Sequence, residues 1–163
     1  MKTFIRINTA PAVAALLIIS AVLYVFTVPR AQAALGGDIT SVQADQKHMQ
    51  GVMQLKSTGR YTVHEIKASR GRIVREYVAP TGTVFAVTWQ GPSRPDFQRI
   101  LGGYFDQFQL AVQQAQRSHM RRGPMVIEQP GFVVESGGHM RGFFGKAYLP
   151  DMLPEGVTAQ DLQ

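Results

Sequence analysis

The stretch Thr83–Phe108, TVFAVTWQGPSRPDFQRILGGYFDQF, constrains the fold more than any other part of the chain. Its first half reads as a strand that is apolar on both faces at Val84, Phe85, Ala86 and Val87, so it belongs inside a sheet rather than at an edge. Gly91-Pro92 ends that strand. Ser93, with Asp96 three residues on, marks a helix start, and Pro95 falls in the first turn, where its missing N–H costs nothing. From there Phe97, Ile100, Leu101, Tyr104, Phe105, Phe108, Ala111, Val112 and Ala115 recur at about 100° per residue, which predicts one amphipathic helix over Pro95–Gln116. Gly102-Gly103 is the anomaly. Each glycine costs about 1 kcal/mol relative to Ala in a helix interior, so the pair marks close backbone approach, a kink or motion.

Runs rich in β-branched and aromatic residues at Tyr61–Lys67, Ile73–Ala79 and Thr83–Gln90 are separated by Ser69-Arg70-Gly71 and Ala79-Pro80-Thr81-Gly82, which predicts an antiparallel meander. In the second run one face carries Arg75 and the other Glu76. Shorter strands are expected at Met125–Ile127, Phe132–Glu135 and Met140–Tyr148, interrupted by Gln129-Pro130-Gly131 and Ser136-Gly137-Gly138. Ahead of them a short helix is predicted from Thr40 or Ser41 to about Leu55, weakened by Gly51, with Met49 and Met53 as packing residues. The expected architecture is a single α+β domain over residues 34–163. It has an antiparallel sheet of about five strands, the long amphipathic helix on one face and a shorter N-terminal helix. Residues 34–39 are expected to form a flexible start and 150–163 a largely irregular tail, anchored by Leu149, Met152 and Leu153.

Residues 1–33 have the three parts of an export signal: Lys2 and Arg6, an apolar run from Ala10 to Val28, and Ala31-Gln32-Ala33 as a cleavage site that leaves Ala34 first. The expected location is therefore periplasmic or secreted, with no stable membrane span once the signal is removed. The alternative is an inner-membrane protein anchored by an uncleaved N-terminal helix, since the run of 19 residues approaches the roughly 20 that cross a bilayer. Cleavage also changes the charge. The 17 Lys and Arg against 11 Asp and Glu fall to 14 against 11, and a nucleic-acid role argued from net charge loses half its support, so no nucleic-acid partner is expected. With no cysteine, thiol catalysis, zinc–thiolate sites and disulfides are excluded, and the fold rests on packing.

No constellation identifies a reaction. Glu135-Ser136-Gly137-Gly138-His139-Met140-Arg141 is the most suggestive loop: a Gly-Gly turn can expose backbone N–H groups, and His139 and Arg141 add donors for a carboxylate or phosphate. The structural alternative is that Ser136-Gly137-Gly138 is only a hairpin turn. His48, His64, His119 and His139 form no i, i+4 metal motif, so no metal is expected; His64 and His139 can still meet across strands. Gly-x-Ser-x-Gly is absent, and Gly142–Lys146 lacks the spacing of a phosphate-binding loop, which leaves no cofactor implied. Glu65, Glu76, Glu128 and Glu135 are the available acids and bases. Trp89 can stack a ligand, although such a residue at a strand's end is more often core or rim. Arg117, His119, Arg121 and Arg122 gather where the long helix ends, either complementing its dipole or forming an anion patch. The candidate binding surface is thus Ser136, Gly137, Gly138, His139 and Arg141, with Trp89 and His64.

At REYVAPTGTVFAVTWQGPSRPDF and SGGHMRGFFGKAYLP the sequence resembles a family of small exported proteobacterial proteins known as domain of unknown function 2844. The resemblance runs from Leu35-Gly36-Gly37 through Leu153-Pro154-Glu155-Gly156-Val157. It implies an envelope location in a Gram-negative bacterium and carries over no catalytic or binding residue. Two functions are therefore expected as alternatives. One is a non-catalytic binding or accessory protein whose partner is another envelope protein or a cell-envelope ligand. The other is a small hydrolase or anion-binding enzyme using Glu135, His139 and Arg141.

Overall fold

The computed structural model describes residues 35–117 and 123–163. The expected export signal of residues 1–33, together with Ala34, His119, Arg121 and Arg122, lies outside the described residues. Among the described residues the order is α1 (Ile39–Met49), β1 (Val52–Ser57), β2 (Thr62–Ala68), β3 (Arg72–Val78), β4 (Val84–Gly91), α2 (Phe97–Leu101), α3 (Phe105–Arg117), β5 (Met125–Gln129), β6 (Phe132–His139) and β7 (Gly142–Tyr148). All seven strands form one antiparallel sheet in the order β1-β2-β3-β4-β7-β6-β5. After β4 the helices carry the chain to the far edge, and β5, β6 and β7 return strand by strand until β7 pairs with β4.

The expected count of about five strands is corrected to seven, partly because β1 stands where the short helix was expected to continue. That helix stops at Met49: Gln50 takes a left-handed conformation (φ 50°), and its N–H bonds back to the Gln46 and Lys47 carbonyls. Gly51 then lets the chain turn against β2, where a Cβ would stand 2.6 Å from Ile66 Cγ2. The helix begins on Asp38, whose carboxylate accepts the N–H groups of Thr40 and Ser41. The residues ahead of it, expected to be flexible, are hydrogen-bonded: Leu35 is buried and donates to Ile100, and Gly36 and Gly37 pair with Val84.

The long helix is present over residues 97–117, and a 3₁₀ turn at Gly102–Tyr104 divides it into α2 and α3, the kink that Gly102-Gly103 allowed for. Asp96 caps α2 by accepting the Arg99 N–H, and Gly102 closes it at φ 50°, ψ −116°, a conformation that suits glycine. The aromatic stripe survives the break, with Phe97 packed on Phe108 and Tyr104 on Phe132 at 5.0 and 5.4 Å between ring centres.

The doubly apolar reading of β4 holds, with a refinement. A bulge at Phe85 leaves Tyr77 opposite Ala86 but Val78 opposite Val84. Phe85 and Ala86 therefore pack together on one face, while Val84, Val87 and Trp89 pack on the helical face. Residues 149–163, without α-helix or strand, cross the face opposite the helices. Val157 and Leu162 are buried there against Tyr77, Phe85 and Ala86. Leu149 is buried too, whereas Met152 is exposed.

Candidate functional site: a cleft on the open half of the sheet

Strand register arranges the tail-bearing face into rows. One row is Val63, Tyr77, Ala86, Tyr148 and Val133, and the tail packs on its apolar centre. The next row is Glu65, Arg75, Thr88, Lys146, Glu135 and Val126. A third holds Gln90, Phe144 and Gly137. Over the second and third rows lies a cleft of about 480 Å³, closed at one end by Leu162 and Gln163 of the tail.

The charges of the middle row pair outward. Arg75 Nε meets Glu65 at 2.5 Å, Lys146 Nζ lies 3.6 Å from Glu135, and Lys146 also donates to the Ala159 carbonyl at 2.7 Å. Lys67 joins Glu65 from the other side, and these cations hold the Glu65 carboxyl below the usual range. Between Arg75 and Lys146 sits Thr88. There the Gln163 main-chain oxygen accepts from Tyr77 Oη, Thr88 Oγ1 and Arg75 Nη1 at 2.6, 3.2 and 3.3 Å. What remains uncommitted in the cleft is largely apolar: Phe144 is 57% exposed and Val126 54%.

The sequence-derived candidates divide. Ser136, Gly137 and Trp89 line the cleft together with Glu135. His139 and Arg141 stand exposed at the β6–β7 hairpin end, where His139 Nδ1 contacts the Met140 carbonyl. Glu135 and His139 are four strand residues apart, about 13 Å. The hairpin turn itself is displaced from its expected place. Ser136, Gly137 and Gly138 are part of β6, and the turn is Met140-Arg141, with Arg141 at φ 70°. Those glycines serve close approach: a Cβ at Gly137 would press on the Phe144 ring at 3.1 Å, and one at Gly138 would enter the Gly142-Phe143 backbone. Trp89 turns its indole to the helical face, edge-on to Phe97 at 5.6 Å. His64 is four strand positions from β6, roughly 19 Å across the sheet, and is buried.

Sequence reasoning missed Thr88, Phe144, Lys146 and the tail. The alternation of β7, with Phe144, Lys146 and Tyr148 on one side, held that signal.

A second polar cluster lies under the helices. Asp45 of α1 and Glu76 of β3 are 4% and 2% exposed, and their carboxyls are within hydrogen-bonding reach of each other. Arg99 of α2 donates to Asp45 at 3.0 Å. His64 is directly across from Glu76. Glu76 Oε2, His64 Nδ1 and Arg99 Nε have no protein partner. Burial, reinforced by the neighbouring Asp45 charge, pushes Glu76 up to about 8. Burial likewise raises Asp45 against the pull of Arg99, and depresses His64.

Among the described residues, no three His, Asp or Glu side chains stand close enough to hold a metal ion, and no helix is long and apolar enough to cross a membrane. The family model that matches the chain, over residues 31–162, is described as a protein of unknown function (DUF2844). No curated protein and no solved structure matches the chain.

Proposed function

The chain belongs to that family, and we propose that it is an exported, non-catalytic envelope protein that holds part of another envelope protein, or a cell-envelope ligand, in the cleft on its open sheet face. The observation that supports this reading is the division of labour within the cleft. Its cations are already engaged by Glu65, Glu135 and the tail, while Phe144, paired across from polar Gln90, and Val126, two strands farther along the sheet, remain exposed in the cleft lining. Exposed apolar residues rimmed by polar ones suit docking. Thr88 donates its hydroxyl to Gln163, which leaves it a binding group rather than an activated nucleophile. The reading of residues 1–33 as an export signal supports a ligand outside the cytoplasm.

A photo-crosslinking residue at position 144, introduced in cells that make the protein, tests the proposal. The expected result is one envelope partner or ligand captured in the periplasmic or secreted fraction, with capture from a neighbouring position abolished by Phe144→Ala. Two results would sink it: labelling that is unchanged by Phe144→Ala, or a turnover activity of the purified protein that disappears with Glu135→Gln or His139→Ala. N-terminal sequencing of the mature protein should begin at Ala34; an intact Met1 in membranes would instead favour the anchored form.

A further inference from the structure

We infer that the Asp45–Glu76 carboxyl pair is a proton-operated latch between α1 and the sheet: with one proton shared the helix is held down, and with that proton lost α1 is released from β2 and β3. The geometry sets up the conflict. Asp45 comes from α1 and Glu76 from β3, both shut away from solvent and facing one another, so a single proton turns a repulsive contact into a hydrogen bond. The other groups facing the pair are Arg99 from α2, His64 from β2 and His48 from α1 itself. Arg99 offers its charge to Asp45, not to Glu76, and Glu76 Oε2 is left without a partner. One cation therefore serves two carboxyls, and only one of the two has a counter-charge once both are ionised.

The direction with pH follows. A glutamate in the unfolded chain loses its proton near 4.5, whereas Glu76 keeps its proton up to about 8. The folded state binds more protons across that window, so the stability Glu76 contributes is complete below 4.5 and is lost as pH rises through 8. His64 acts in the opposite sense. Burial depresses it below 6.5, so its contribution is present above 6.5 and is lost on acidification. Release on the alkaline side therefore belongs to the carboxyl pair alone.

The test compares amide hydrogen exchange of the whole protein with its Glu76→Gln variant, each at pH 6 and at pH 9, so that the intrinsic pH dependence cancels. Glutamine keeps the shape and the hydrogen bond but has no proton to lose. Because the stabilisation declines across the whole window from 4.5 to 8, the α1 amides of the unsubstituted protein are expected to exchange faster than those of the variant already at pH 6. Between pH 6 and pH 9 that ratio is expected to rise further by roughly a hundredfold, a factor of ten for each unit from 6 to 8, while β4 and β7 amides remain equal in the two proteins. An α1 ratio that is the same at pH 6 and pH 9, or acceleration of α1 and β4 together, overturns the latch. A second measurement needs no variant: the Glu76 side-chain carboxyl carbon should titrate in the NMR spectrum with a midpoint near 8, and a midpoint near 4.5 overturns the inference.

Discussion

Gly145 shows how tightly one position can be fixed by its neighbours. A Cβ there would enter the Glu135 carbonyl oxygen and stand 2.5 Å from Trp89 Cζ2, and both obstacles belong to structures that cannot swing away, a paired strand and a buried indole. Gly145→Ala is expected to lower the unfolding free energy by about 1–3 kcal/mol, read from urea denaturation with Trp89 fluorescence as the reporter. The sequence offers the glycine but not the reason for it, because Trp89 faces it from a strand more than 50 residues away in the chain. Glu76 is similar. Its face of β3 was legible from alternation with Arg75, yet the partner that raises its proton affinity, Asp45, is set by how α1 docks. Sequence spacing says nothing of that.

At the level of elements, the break between α2 and α3 separates the two adjacent glycines into different roles. Gly102 holds φ 50°, ψ −116°, whereas nothing lies within 4 Å of a Cβ at Gly103, whose φ is not in the positive range. Gly102→Ala should therefore destabilise by about 1–3 kcal/mol, and Gly103→Ala should stabilise by about 0.4–1 kcal/mol through the unfolded chain. Parallel urea midpoints of the two variants decide this; equal effects would show that the break is not set by Gly102. Periodicity found the aromatic stripe correctly because the stripe depends on which residues must be buried, and burial survives a kink. It could not find β1. There six residues, VMQLKS, alternate only weakly, and the signal lay in Gln50-Gly51, where a left-handed cap and a close approach stop the helix.

For the whole molecule, the sheet is covered on one face by helices and on part of the other by residues 149–163, and the uncovered remainder is the cleft. Leu162 is the hinge of that arrangement, buried against the Tyr77–Phe85 cluster while also lining the cleft. Leu162→Ala is expected to cost about 2–5 kcal/mol and to raise binding of an environment-sensitive hydrophobic dye; a loss below 1 kcal/mol by chemical denaturation would mean that the tail merely rests on the sheet. The α+β class and the antiparallel meander were legible in the sequence because turn residues and β-branched runs are local. The strand order was not, since the return of β5, β6 and β7 towards β4 is decided by which edges meet. That order also has a kinetic side. The seam between β4 and β7 closes a loop on the order of 50 residues, an entropic cost met before any ladder bond across it forms. A chain emerging N-terminus first from a ribosome or a translocation channel can pair β1 to β4 at once, but its central strand keeps one edge unpaired until the last strand, β7, has arrived. Through that interval the apolar β4 edge is the part of this protein most in need of a chaperone.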